Sequence, residues 1–341
     1  MIRVVRSTHA RDHVPGAEIW LGTTTPGTEV AERVDAIESA LADWPTIEAV
    51  SHGDDVLLAV HDDALVEHLR TVWDRWGDYG VDRVTPYLFP TAGMLGDLPM
   101  REPSAVHAAA GRYGYDTMTL IGPGTWAAAR GAVDVALTCV DEVGGGVIYG
   151  LTRPPGHHVT RAAYGGSCYL NNAAVAAEAL RRAGHERVAI VDIDAHHGNG
   201  TQDVFYARGD VLYASLHVDP GAGWFPHYAG FAEETGIGAG EGANLNIPLE
   251  PGTGDMRWLD AIMRIVQQVI DFGATAMVIS LGVDAAADDP ESPLEITRSG
   301  YFRAGELLGA LAIPTVTLQE GGYHLPTLGP LVRATLEGLE H

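Results

Sequence analysis

Short β-branched runs alternate with longer alanine-rich amphipathic stretches from one end of this chain to the other, and that alternation limits the fold more than any other feature. It is the pattern of a parallel sheet with helices on both faces. Strands are predicted at Ile2 to Val5, Gly146 to Leu151, Val188 to Ile193, Val211 to Leu216, Ala276 to Leu281 and Pro314 to Leu318. Helices are predicted near Thr28 to Ala42, Asp62 to Trp76, Pro123 to Val140, Asn172 to Ala183, Asp255 to Phe272, Gly300 to Leu311 and Leu328 to Leu339. The expected fold is therefore α/β: a single doubly wound parallel sheet, forming one domain over residues 1–341. Tyr87 to Tyr115, interrupted by Pro90, Pro99 and Pro103, lacks periodicity and reads as a long insertion. The glycine-rich run Gly236 to Gly242 lacks a preceding strand and reads as a loop rather than a phosphate cradle.

Charge narrows the function. With 21 Lys+Arg against 45 Asp+Glu, the formal charge is -24, which repels phosphate backbones and anionic membranes and favours cationic small partners. No nucleic-acid or membrane partner is expected. The chain contains no lysine, so Schiff-base and lysine-nucleophile chemistry are excluded. Cys139 and Cys168 are too few for a disulfide framework, and Met1 to Ala10 carries no apolar signal core, so a cytoplasmic protein is expected.

Four strand ends carry polar groups that a buried strand would not tolerate unpaired. In AIVDIDAHHGNG, Asp192, Asp194 and His196 are spaced by two and point to one side of an extended backbone. Taken alone this would suit a solvated turn with a capping aspartate, but two carboxylates and an imidazole together suit a divalent cation. In RPPGHH, two prolines hold His157 and His158 at a strand end, where an adjacent pair suits acid–base work better than packing. Asp284, closing ISLGVD, offers a third ligand, and three ligands leave a coordination position open. Tyr323 follows a diglycine in QEGGYH and could reach a substrate oxyanion, although a core tyrosine beside a turn is equally common. The combination describes a metal-assisted hydrolase.

These residues resemble the histone deacetylase superfamily, and within it most closely the bacterial acetylpolyamine amidohydrolases. RPPGHH, DIDAHHGNGTQD, SLH at Ser215 to His217, FPH at Phe225 to His227, SLGVD and EGGY occur in that family's order over nearly the whole length. The resemblance implies the arginase/deacetylase fold and one Zn2+ per chain on Asp194, His196 and Asp284. It implies His158 as general base and then acid, held by Asn199, with His157 held by Asp192 and Tyr323 donating to the oxyanion. It also implies one or two structural K+ ions. One would sit on Asp192, Ser215 and Leu216 with Asp194 and His196, and a more peripheral one near Phe205, Arg208 and Val211. The arginase-like alternative with two manganese ions needs further aspartates where this chain has Gly198 and Gly282. Iron in place of zinc stays open.

Departures from the family bear on the substrate. After the diglycine ending at Gly166 the chain has Ser167 in place of an aromatic, so Phe225 is the one clear hydrophobic wall of a substrate slot. In DPE, Glu291 occupies the position of the acidic gatekeeper of the human polyamine-specific deacetylase, where it would attract an ammonium. The insertion acids of characterised acetylpolyamine enzymes are matched by His107 and Met118, leaving Asp116 nearby and Glu18 near the N-terminus as candidate substrate-binding acids. The expected substrate is a cationic small-molecule amide, above all an acetylated polyamine. Deacetylation of acetyl-lysine or another small amide is the alternative, and a noncatalytic acetyl-ligand sensor is a third reading. The resemblance further implies a homodimer paired through the insertion loop.

Overall fold

The computed structural model describes residues 1–77 and 82–341. Its ten strands are β1 (Arg3–Arg6), β2 (Glu18–Trp20), β3 (Thr23–Thr25), β4 (Thr46–Glu48), β5 (Val147–Gly150), β6 (Val188–Asp192), β7 (Val211–Val218), β8 (Asn244–Leu249), β9 (Ala276–Leu281) and β10 (Thr315–Gln319). Eight of them form one sheet in the order β4-β1-β5-β10-β9-β6-β7-β8, with every pairing parallel. The six predicted strands are all present. β4 and β8 are additions at the two edges, where short runs and polar residues such as Asn244 and Asn246 mask the apolar pattern.

β6, β7 and β9 are buried at every position, which is why their sequences are continuously apolar rather than alternating. Their side chains divide by parity. Val188 and Ile190 face a core shared with the helices Thr125–Glu142 and Asn172–Arg182, whereas Ala189 and Val191 face one shared with Asp255–Phe272 and Leu325–Glu340. The predicted helix from Pro123 begins instead at Thr125, whose hydroxyl accepts the Gly122 N–H at 2.8 Å and closes the turn before it. Among the described residues, no helix is long and apolar enough to cross a membrane.

The winding places the chemistry. From β5 the chain passes over two positions to reach β6, and β9 and β10 later fill the gap. The four central strands β5, β10, β9 and β6 thus lie side by side with all their carboxyl ends at one edge, the place where an open α/β sheet leaves a crevice for ligands. Residues 87–115 carry two short helices, Ala92–Leu95 and Val106–Tyr113. The β2–β3 hairpin is tied to the segment just beyond them, where the Thr117 hydroxyl donates to Ile19 O at 2.6 Å.

Candidate metal centre and active site

Asp194 and His196 leave the end of β6, and Asp284 leaves the end of β9. His196 Nδ1 lies 3.0 Å from Asp284 Oδ2 and 3.3 Å from Asp194 Oδ1, and the three ligating atoms all fall within 4.8 Å of one another. Backbone N–H groups fix the carboxylates: Ala195 N donates to Asp284 Oδ1 at 2.8 Å and Gly321 N to Asp194 Oδ2 at 2.8 Å. Both acids are buried. Burial, reinforced by the Asp194 charge, pushes the Asp284 carboxyl up to about 7. One borderline cation with mixed N/O ligands fits this set. A second does not fit beside it: a Cβ on Gly198 would stand 2.4 Å from Asp192 Oδ2, and one on Gly282 would stand 2.1 Å from Asp194 Oδ2. The arginase-like positions lack ligands and also lack room for them.

The histidine pair sits beside the cluster with its rings 4.0 Å apart. His157 Nδ1 lies 3.1 Å from Asp192 Oδ2, which also accepts the Tyr213 hydroxyl at 3.0 Å. His158 Nδ1 lies 2.8 Å from Asn199 Oδ1, a contact that puts the proton on Nδ1 and the lone pair on Nε2. Their surroundings separate the two rings. Burial opposes a charged His157, but the Asp194 and Asp192 carboxylates outweigh it and push this imidazole up to about 10. Burial drives His158 well below 6.5, and the charges of His157 and His196 act in the same direction. The two rings are thus biased in opposite directions, a division that acid–base catalysis uses.

Sequence gave no sign of several supports. Arg33 is buried, donates through Nε to Gly322 O at 2.7 Å and reaches Glu320 O, and its guanidinium stands 4.9 Å from the centre of the Tyr323 ring. Glu320 accepts the N–H of Gly156 at 2.7 Å and of His157 at 3.2 Å, joining the loops after β5 and β10. Arg33 sits in an ordinary-looking helix, and Glu320, although it opens the EGGY match, carried no role of its own; only burial would have marked them.

A cavity of about 810 Å³ runs from His158, His196 and Tyr323 to the exposed Trp20 and Leu21 of the β2–β3 turn. Phe225, Gly166 and Ser167 line it, as do Glu18 and Glu291. Phe225 meets His158 edge-on at 4.8 Å, and Tyr115 stands nearly parallel to it at 6.5 Å. Glu291 is anchored on both sides, its N–H donating to Asp289 Oδ1 and its carbonyl accepting from Trp224 Nε1, each at 3.0 Å. Asp116 is placed differently. It does not line this cavity, and its oxygens accept from Met118 N, Thr119 N, the Thr119 hydroxyl and Gly166 N, so it shapes the wall turn rather than offering a free carboxylate.

Asp192 and Ser215 are register partners on β6 and β7, both fully buried, with Leu216 next in the strand. Ser215 Oγ lies 2.8 Å from His217 Nδ1. Phe205, Arg208 and Val211 lie together at the entry to β7, where Arg208 N donates to Phe205 O at 2.8 Å and the guanidinium pairs with Asp210 and Glu178.

Residues 28–339 match the model of the histone deacetylase domain. An acetylpolyamine amidohydrolase from Mycoplana ramosa is 37% identical, covering 99% of both chains. Acetylpolyamine amidohydrolase 1 of Pseudomonas aeruginosa is 38% identical over 100% of this chain and 99% of its own. The crystal structure of an acetylpolyamine aminohydrolase from Burkholderia pseudomallei superimposes with a TM-score of 0.92 at 37% identity, over 99% of this chain and 98% of that one.

Proposed function

The chain belongs to the histone deacetylase family and is an amidohydrolase of that family; from that premise we propose that it removes acetyl groups from acetylated polyamines, using one zinc ion on Asp194, His196 and Asp284. The observation that carries the substrate class is the pair of acids, Glu18 and Glu291, in the same cavity as the metal cluster and the histidines. A carboxylate pair in a walled cavity attracts a distal ammonium and gives nothing to a neutral stem. The relatives named for acetylpolyamines support the same reading.

When bound, the metal supplies Lewis-acid polarisation of the amide carbonyl and lowers the pKa of a water. His158, neutral and held through Nδ1 by Asn199, receives the water's proton at Nε2 and returns it to the leaving nitrogen, releasing acetate and the free amine. His157, held through Nδ1 by the buried Asp192, is the oriented partner of His158 beside the metal cluster. Burial raises the Tyr323 phenol well above 10, so it stays protonated and donates to the developing oxyanion. Phe225 walls the alkyl stem. Structural potassium is assigned to Asp192, Ser215 and the carbonyls around them, with a second monovalent ion near Phe205, Arg208 and Val211.

The insertion exposes Tyr87, Met94 and Leu98 at 69%, 57% and 71%. Exposed apolar side chains along this one segment support a homodimer paired through it.

Metal titration tests the centre. Chelated enzyme should regain acetate release from N-acetylputrescine linearly with added zinc, with a break at about one equivalent per chain. A break at two equivalents, or undiminished activity after chelation, contradicts the assignment.

A further inference from the structure

Tyr323 follows Gly321 and Gly322, and Gly322 has a φ of +122°. A phenol on so permissive a backbone must be fixed by something outside its own segment if it is to meet an oxyanion reproducibly. Arg33 holds the carbonyls that precede it. The N–H groups are held by a residue from another loop. Asp289 Oδ2 accepts from Tyr323 N at 2.6 Å and from His324 N at 3.0 Å, while Asp289 Oδ1 accepts from Glu291 N at 3.0 Å. Asp289 as a residue is only 7% exposed, and the three bonds are part-buried. It also stands where the helix Leu325–Glu340 begins, an end that His324 leaves without a side-chain cap and that favours a negative charge.

We propose that Asp289 is a positioning residue that fixes the oxyanion phenol and the entrance acid with one carboxylate. Through Oδ2 it sets where Tyr323 stands, and through Oδ1 it sets where Glu291 stands. Recognition of the distal cation and stabilisation of the oxyanion are therefore built on one rigid strut between the loops after β9 and β10. The inference rests on the roles given above to Tyr323 and Glu291. It adds that these roles depend on a residue that touches neither substrate nor metal.

A two-background comparison tests it. Asp289→Ala removes the acceptor from all three N–H groups, and it is made in the native enzyme and in Tyr323→Phe. Activity is measured on N-acetylputrescine and on N-pentylacetamide, which replaces the ammonium by a methyl group, and bound metal is assayed in every variant. In the native background kcat should fall about ten-fold or more on both substrates with bound metal unchanged, since misplacements on the order of 1 Å cost that much or more. KM should rise for N-acetylputrescine only. In Tyr323→Phe the same substitution should change kcat by no more than about two-fold, because groups acting as one unit are not additive. A full further loss in that background overturns the strut while leaving the reading of Tyr323 intact. A Tyr323→Phe enzyme of native rate overturns both. If Asp289→Ala does not fold, Asp289→Asn carries the comparison: it keeps the shape and one acceptor oxygen, so the factor in the native background shrinks while its absence in Tyr323→Phe is still required.

Discussion

Glu18 illustrates how much a single side chain can decide. Burial pushes its carboxyl up to about 7, against the Thr28 N–H that stabilises the anion at 3.3 Å, and the charges of Glu291 and Asp116 push the same way as burial. The sign follows directly: below about pH 7 Glu18 is protonated and attracts no cation, and above it the carboxylate is available. KM for N-acetylputrescine should therefore rise as pH falls through 7, whereas KM for N-pentylacetamide should not follow. Parallel profiles for the two substrates would remove Glu18 from the binding of the cation. Legibility at this scale divides sharply. Asp194, His196, Asp284, His157 and His158 were legible because polar ligand types directly after apolar strands have few uses other than chemistry. Arg33, Asp289 and Glu320 were not, because the contacts that give them these roles are with backbone groups far away in sequence. For Asp116 the residue type suggested a binding acid, but its oxygens are taken up by the main chain.

Among the elements, the four central strands were readable, since β5, β10, β9 and β6 are largely buried runs rich in β-branched and apolar residues, each leading into a segment of the candidate site. The β2–β3 hairpin was not. Its strands are three residues each and half exposed, too short to show a period, yet it brings Glu18 to the cavity. The loop after β9 carries the other acid, and here the surroundings set the size of the effect. Glu291 is half-buried in the cavity lining on a backbone held by Asp289 and Trp224, so its pairing with an ammonium should exceed the roughly 1 kcal/mol of an exposed pair and approach about 2–3 kcal/mol. Glu291→Leu should then reduce kcat/KM for N-acetylputrescine by roughly 30- to 100-fold and leave acetyl-lysine peptides unchanged or improved. Equal losses on both would make Glu291 an ordinary loop acid and favour the acetyl-lysine reading.

Across the whole molecule, the charge of -24 with no lysine surrounds the cavity with a field that draws polycations and fades over about 8 Å at physiological salt. The polyamine preference should weaken as salt rises. The insertion adds a second property at this scale. In sedimentation the native chain should run as a dimer, and Leu98→Asp, which places a charge on a side chain 71% exposed, should shift it toward monomer. A native monomer would leave those apolar groups without the proposed partner. Both properties serve one claim, that a single-metal amidohydrolase is tuned to cationic amides. The most direct test is the ratio of kcat/KM for N-acetylputrescine to that for N-pentylacetamide in the zinc-loaded native enzyme at pH 8. With Glu18 and Glu291 both acting on the ammonium, the ratio should be about 30 or more, and a ratio near one would contradict the account.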